Sequence, residues 1–304
     1  MRLFTVHGNI MSLNYIRATT LGAVAYLMLV PSSVVAETGT QGKGSYNLFD
    51  PTPTVLLREL STDRPDTTES PFTVDAGHFQ FETTLLGYSR SHTDSAGTTT
   101  KAYEYGTTNL RIGLTNAIEL SLIYAPYGMM RVSSPDPTLA GRFSGSGDLT
   151  VRTKFNFWGN DSFQKAGETA LGLLPFVNIP TNKGNGISSD FVQGGVILPF
   201  AIKLTDKLDL GINGGVQWMH NDDMPGYHKE WIVTGSFGYD WSEVVSTYYE
   251  IAANFSTPQG DAIQLGTGIS YKIGKNLQWD AGINFGITTA APRLNPFMGV
   301  SARF

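Results

Sequence analysis

Past residue 75 the chain alternates polar and apolar residues with a period of two, the spacing that sends successive side chains to opposite faces of a strand. Leu149, Val151, Thr153, Phe155 and Phe157 interleave with Asp148, Thr150, Arg152, Lys154 and Asn156. Leu277, Trp279, Ala281, Ile283, Phe285 and Ile287 interleave with Gln278, Asp280, Gly282, Asn284 and Gly286. Twelve segments of this kind lie near 77–90, 102–114, 117–127, 147–158, 168–180, 190–204, 207–220, 229–241, 244–256, 262–273, 276–288 and 295–304. Their apolar face reads as free of Asp, Glu, Lys and Arg. The other face carries Glu82, Arg111, Glu119, Asp148, Arg152, Lys154, Lys203, Asp209, Asp240, Glu250, Lys272, Asp280 and Arg303. The pattern predicts an all-β chain, but a soluble sandwich alternates in the same way.

The connectors separate the two. Thr115 with Asn116, Thr205 with Asp206, Ser242 with Glu243 and Gly274 with Lys275 mark tight turns after segments 2, 6, 8 and 10. The connectors after segments 1, 3, 5, 7, 9 and 11 are mostly longer and rich in Gly, Pro, Ser and Asp, with 126–147 read as the longest loop. Short turns on one rim and long loops on the other predict a transmembrane antiparallel up-and-down β-barrel of about twelve strands. Residues 159–167, after segment 4, are longer than this rule wants. The even count puts both ends of the barrel on the short-turn rim. Tyr124, Phe157, Trp218, Trp231, Tyr239, Trp241, Phe255 and Tyr271 fall near segment ends on the apolar face, where interfacial girdles are expected.

Closure follows from hydrogen bonding, since an open sheet edge in hydrocarbon would leave backbone groups unpaired. Twelve strands enclose more room than eight-stranded barrels filled by their own side chains. A polar lumen is therefore expected, lined by Glu82, Arg111, Glu119, Asp148, Arg152, Lys154, Asp209, Glu250, Lys272, Asp280 and Arg303. The cations among them are placed inward because a cation at mid-bilayer on the lipid face costs about 2–4 kcal/mol. Such charges either set a transverse field for solutes or satisfy one another across a closed interior.

Composition narrows the class. Of 304 residues, 15% are charged and 41% hydrophobic, with 34 glycines and no cysteine. The missing cysteines exclude a disulfide scaffold, thiolate metal sites and a cysteine nucleophile. A net charge of −5 argues against a nucleic-acid partner. Residues 1–36 read as a secretory signal: Arg2 and Arg17 with no acid, an apolar run over 21–30 too short to span a bilayer, and small Val34 and Ala36 before Glu37. Arg17 supplies the positive region whether the chain starts at Met1 or Met11. Cleavage there leaves 19 basic and 26 acidic residues, a net charge of −7. The expected location is the outer membrane of a Gram-negative bacterium, with outer-membrane lipid and the barrel-assembly machinery as partners. Phe304, closing a strand through Met298, Val300 and Ala302, resembles the signal that machinery reads.

Residues 37–75 lack the alternation and hold Pro51, Pro53, Pro65 and Pro71, which oppose both helix and central strand. The stretch is either a flexible periplasmic tail or a plug across the periplasmic mouth, with Asp63, Arg64, Asp66 and Glu69 pairing with luminal charges. The predicted division is thus 1–36 signal, 37–75 periplasmic segment or plug, and 76–304 barrel. Residues 58–82, running from Arg58-Glu59-Leu60 through Asp63-Arg64-Pro65-Asp66 to His78-Phe79-Gln80-Phe81-Glu82, resemble the opening of the outer-membrane family named for the meta-cleavage pathway of phenol degradation. The family's lead-in is matched by Phe49-Asp50-Pro51-Thr52-Pro53 and Leu57-Arg58-Glu59, with Asp50 and Leu57 as departures. The resemblance implies a barrel of this size, His78 and the acids of 63–69 as family-motif residues, and passage of aromatic or other hydrophobic compounds.

A barrel enzyme would need a catalytic arrangement of its histidines. None of His78, His92, His220 and His228 stands two residues before a serine, and Ser91 and His92 are adjacent, so a strand sends them to opposite faces. His220, Asn221, Asp222 and Asp223 form a polar cluster with oxygen ligands for a divalent cation, though a solvated loop explains it as well. No nucleotide-binding glycine motif is present. The expectation is a non-enzymatic, cofactor-free and metal-free channel passing small solutes down a gradient, with a closed structural or adhesin-type barrel and a barrel enzyme as alternatives.

Overall fold

The computed structural model describes residues 42–221, 224–256 and 260–304. The segment 1–36 lies outside them. Fourteen strands form: β1 (Phe79–Arg90), β2 (Thr99–Thr115), β3 (Ile118–Tyr124), β4 (Tyr127–Ser133), β5 (Gly141–Gly145), β6 (Leu149–Trp158), β7 (Thr169–Ile179), β8 (Gln193–Lys203), β9 (Leu208–His220), β10 (Tyr227–Asp240), β11 (Val245–Phe255), β12 (Ala262–Ile273), β13 (Leu277–Gly286) and β14 (Asn295–Arg303). All pairings are antiparallel. β14 pairs with β1 from Gln80 opposite Arg303 to Gly87 opposite Phe297, which joins the two ends of the sheet. Twelve strands make the closed wall, matching the twelve sequence segments. The other two, β4 and β5, extend it.

That extension corrects the reading of 126–147 as one long loop. β4 continues β3 past Ala125 and Pro126, and pairs with the upper part of the 17-residue β2 from Tyr105 opposite Tyr127 to Thr99 opposite Ser133. β5 pairs with β4, and only residues 134–140 remain as the loop. Pro126, Pro135, Pro137 and four glycines masked the alternation. The longest connector is instead 180–192.

The wall is inverted relative to a soluble domain. Its largest fully buried side chains are Arg111 and Lys154, while Ile251, Leu265, Ile269 and Val233 stand 46–52% exposed on the outer face. In water those side chains would be buried; against acyl chains they cost nothing. Tyr124, Trp218, Trp231 and Phe255 lie toward the long-loop rim, and Phe157, Tyr239, Trp241 and Tyr271 toward the turn rim. All are exposed except Tyr239, which is half-buried with its ring 4.8 Å from that of Trp241. The two girdles bracket the apolar band. No helix among the described residues is long and apolar enough to cross a membrane.

Two expectations about the outer face need correcting. Lys229 stands opposite Trp218 on it, at the long-loop end of β10. Furthermore, β1 and β2 switch faces partway up. Thr84 and Gly87, three residues apart, both face the lumen, where a Cβ at Gly87 would lie 3.4 Å from Glu104 and 3.6 Å from Thr84. Leu85 and Gly106 interrupt the alternation at this level, and Gly106 (φ 70°) adopts the left-handed conformation that favours glycine. Above this point Leu86, Tyr88 and Arg90 point outward, whereas strict alternation from Gln80 would point them inward.

The inverted wall generates a prediction. Ile251→Lys, at mid-strand on the outer face, should lower the unfolding free energy in vesicles by about 2–4 kcal/mol. A loss below about 0.5 kcal/mol in a denaturant titration would place that face in water.

Candidate functional site

Residues 42–78 fold against the turn rim and into the lumen. Two short 3-10 turns, Lys43–Ser45 and Thr54–Leu56, shape the outer part. Lys43 reaches Asp161 (2.8 Å) and Asp75 (3.3 Å), and Arg58 reaches Asp75 (3.2 Å) and the carbonyl of Asn116. Residues 159–168, the one long connector on this rim, meet the segment directly. Asn160 bonds the Thr73 amide and hydroxyl, and the rings of Phe72 and Phe163 lie 5.0 Å apart. Burial pushes the Asp161 carboxyl up, but the Asn116 amide and the cations of Lys43 and Arg58 outweigh it and hold the group below the usual carboxylate range.

From Ser61 to Val74 the prolines and the lack of alternation keep the chain out of the sheet, so its polar groups bond to luminal side chains instead. On one wall, Arg64 Nη2 donates to Asp280 Oδ1 at 2.6 Å and Nη1 donates to Thr84 at 2.6 Å. A Cβ at Gly299 would collide with that guanidinium, so glycine makes room for it. Further round the wall, on β11 and β10, the amides of Thr67 and Thr68 donate to Glu250, and the Thr68 hydroxyl lies 2.8 Å from that of Thr234. Asn213 accepts from the Glu69 amide at 2.7 Å and donates to its carbonyl at 2.9 Å. Asp280, Glu250 and Asn213 stand three to five residues above the turn-rim ends of their strands. At about 3.3 Å per residue and a tilt near 40°, this is roughly 8–13 Å into an apolar band about 25 Å tall.

On the remaining side of the barrel, across β1, β2, β3 and β6, lies the charge cluster. Arg111 is fully buried and pairs with Glu82 (2.7 Å), Glu119 (2.8 Å) and Asp63 (3.5 Å), while donating to the carbonyl of Phe72. Lys154 donates to Asp63 at 2.6 Å, and Arg152 contacts both Asp63 (3.4 Å) and Glu69. The Val74 amide donates to Glu119 at 2.7 Å, and Asn156 donates to the carbonyl of Pro71 at 2.9 Å.

Of the residues expected to line the lumen, Glu82, Arg111, Glu119, Arg152, Lys154, Glu250 and Asp280 meet around residues 61–74. Arg303 sits at the rim, donating to the Arg58 carbonyl at 2.8 Å. Asp148 lies at the other end of the barrel, bonded to Ser188 and Ser189, apart from the cluster. Asp209 pairs with Lys203 (3.3 Å) and Lys272 with Glu59 (3.7 Å), both at the turn rim. Asp66 lies beside Glu250 and Ser236. His78 bridges the carbonyls of Thr52 (2.8 Å) and Phe304 (3.1 Å), tying the segment to the last residue. Glu104 was missed, because the switch of faces at Gly106 turns it inward beside Thr84 and Thr107. Asn213, Asn156 and Gln80 were missed because uncharged amides carry no signal in a polar strand face. In the polar cluster after β9, Asn221 bonds His228 (2.9 Å), and Asp222 and Asp223 lie outside the described residues.

The family model described as "Putative MetA-pathway of phenol degradation" matches residues 62–304. The fold is similar to the crystal structure of the COG4313 outer membrane channel from Pseudomonas putida F1, with TM-score 0.57 and 16% identity over 80% of this chain and 100% of that one. It is also similar to the transport unit of the autotransporter AIDA-I from Escherichia coli, with TM-score 0.52 and 10% identity over 82% and 93% of the two chains. No curated protein matches the chain.

The cluster makes its own prediction. Asp63→Asn leaves Lys154, Arg152 and Arg111 short of a buried counter-charge. The free energy of releasing the segment, read from its rate of proteolytic cleavage, should fall by about 3 kcal/mol. Adding Lys154→Met should recover part of that loss. Equal cleavage of wild type and Asp63→Asn would mean the pair does not hold the segment.

Proposed function

We propose, since the chain belongs to this MetA-pathway phenol-degradation family, that it is a passive outer-membrane channel for small aromatic or otherwise hydrophobic solutes. Residues 37–75 act as its periplasmic plug. One observation carries the reading: between Ser61 and Val74 the segment is held by side chains from strands spread around the lumen and adds no strand to the ladder. It can leave without breaking the barrel's backbone hydrogen bonds. The similarity to a solved outer membrane channel supports the channel half of the reading, and the family's description supports the solute class.

The ion pairs suit a gate. Each pair loses hydration on docking and regains Coulomb energy, so the net balance of a buried pair is small compared with either contribution. A cluster of such pairs holds the segment and still permits release. With no energy-coupling motif in the sequence, passage runs down the solute's gradient. Arg152 and Lys154, once freed of Asp63 and Glu69, would line the opened lumen with positive charge. The reading is non-enzymatic: His78 is engaged with two backbone carbonyls. Phe304, 71% exposed and edge-on to Phe81 at 5.9 Å, serves as the assembly signal at the lipid-facing edge of the closing strand.

Single-channel recording tests this. The mature chain in a planar bilayer should show brief, infrequent openings, and a version lacking residues 37–74 should conduct steadily. Equal conductance in both would reduce the segment to a tail. Silence in both would favour the closed structural barrel, in which the same ion pairs are permanent.

A further inference from the structure

Four cations stand in one line on the outer face, near the long-loop rim. Arg90 is directly opposite Lys101, Lys101 opposite Arg131, and Arg131 opposite Arg142. Residues directly opposite each other point the same way, with strands about 4.8 Å apart, so the row spans roughly 15 Å. Like charges in this arrangement repel. Among the described residues no carboxylate lies within ion-pairing distance of any of the four. The acids of the neighbouring loops are engaged elsewhere: Asp94 accepts from the amides of Ala96 and Thr98, and Asp136 from that of Thr138. The Nε of Arg90 is buried and has no hydrogen-bond partner in the protein.

The rows beneath fix the level of this line. Because the faces switch near Gly106, Leu86, Tyr88 and Arg90 all point to the lipid side. Tyr88 lies opposite Tyr103 with rings 5.1 Å apart, and Tyr105 lies opposite Tyr127 with rings 6.0 Å apart. Each two-residue step along a tilted strand is about 5 Å of height. Moving outward, the surface therefore passes from aliphatic side chains through tyrosines to cations. A leaflet passes in the same order from acyl chains through the interface to phosphate.

We propose that Arg90, Lys101, Arg131 and Arg142 bind the phosphate groups of the phosphorylated glycolipid, lipopolysaccharide, that forms the outer leaflet of the outer membrane. The guanidinium forks of three arginines match phosphate oxygens two at a time, and an anion bridging neighbours removes the repulsion along the row. Arg131 and Arg142 also line an open groove of about 510 Å³ at the base of the 134–140 loop, which gives a headgroup room to sit beside the extension. The site is on the outside of the wall, separate from the lumen and its plug.

Native mass spectrometry of the purified full-length mature protein with bisphosphorylated lipid A tests the site. Wild type should retain the lipid, and Arg90→Gln/Lys101→Gln/Arg131→Gln/Arg142→Gln should bind it at least about tenfold more weakly. Dephosphorylated lipid A should bind wild type no better than the variant. Lys229→Gln, which removes an outward cation elsewhere at the same rim, should leave binding unchanged. If the fourfold variant does not fold, judged by heat-modifiable migration, Arg131→Gln/Arg142→Gln on the extension gives the same reading with a smaller loss. Undiminished binding in the folded variant would overturn the proposal. So would an equal loss in Lys229→Gln, which would mean diffuse attraction, or displacement of the lipid by an equal concentration of inorganic pyrophosphate, which would mean a site for the free anion.

Discussion

A buried charge needs a partner, and in this barrel the wall does not supply all of them. Glu82 and Glu119 answer Arg111 from the neighbouring strands. Among the described residues, the carboxylates within ion-pairing distance of Arg152 and Lys154, both on β6, are on the inserted segment, at Asp63 and Glu69, while Glu119 faces Lys154 across the sheet and is already paired with Arg111. The wall and the segment are therefore one electrostatic unit. With the segment docked, the cations are paired and shielded; with it gone, they must be hydrated by the lumen. Either state satisfies them, and the closed backbone ladder is indifferent to the choice. That indifference is what a removable plug requires.

The same accounting explains the shape of the rest. The outer face can carry Ile251 and Leu265 because hydrocarbon surrounds it, and the inner face can carry arginine because a polar chain fills it. Residues 159–168 break the short-turn rule because they hold the segment at Asn160, Asp161 and Phe163. Their length is a docking surface on a rim that otherwise needs only to reverse the chain.

Much of this was legible in residues. β6 and β13 read cleanly because each keeps strict alternation over its length, and the turn and loop lengths carried the closure. The acids of 63–69 stood out by their density beside prolines. Their partners did not, because pairing across a lumen depends on which strands face each other, and register is set in three dimensions. Alternation also fails wherever an interruption in a strand changes the phase. Gly106 on β2 hid Glu104, and the matching interruption at Leu85 on β1 turned Arg90 outward. In the β4–β5 hairpin the prolines and glycines looked like a loop, although Tyr127, Met129 and Arg131 alternate normally with Gly128, Met130 and Val132.

The lumen-gating claim is tested most directly in the cysteine-free chain itself. Thr68 and Thr234, whose hydroxyls lie 2.8 Å apart, can be replaced together as Thr68→Cys/Thr234→Cys and joined by oxidation. Single-channel recording should show that the oxidised protein loses its openings and that reduction restores them to the wild-type frequency. Openings of the same frequency and size in the oxidised and reduced protein would contradict the account, because solutes would then pass with the segment locked in place.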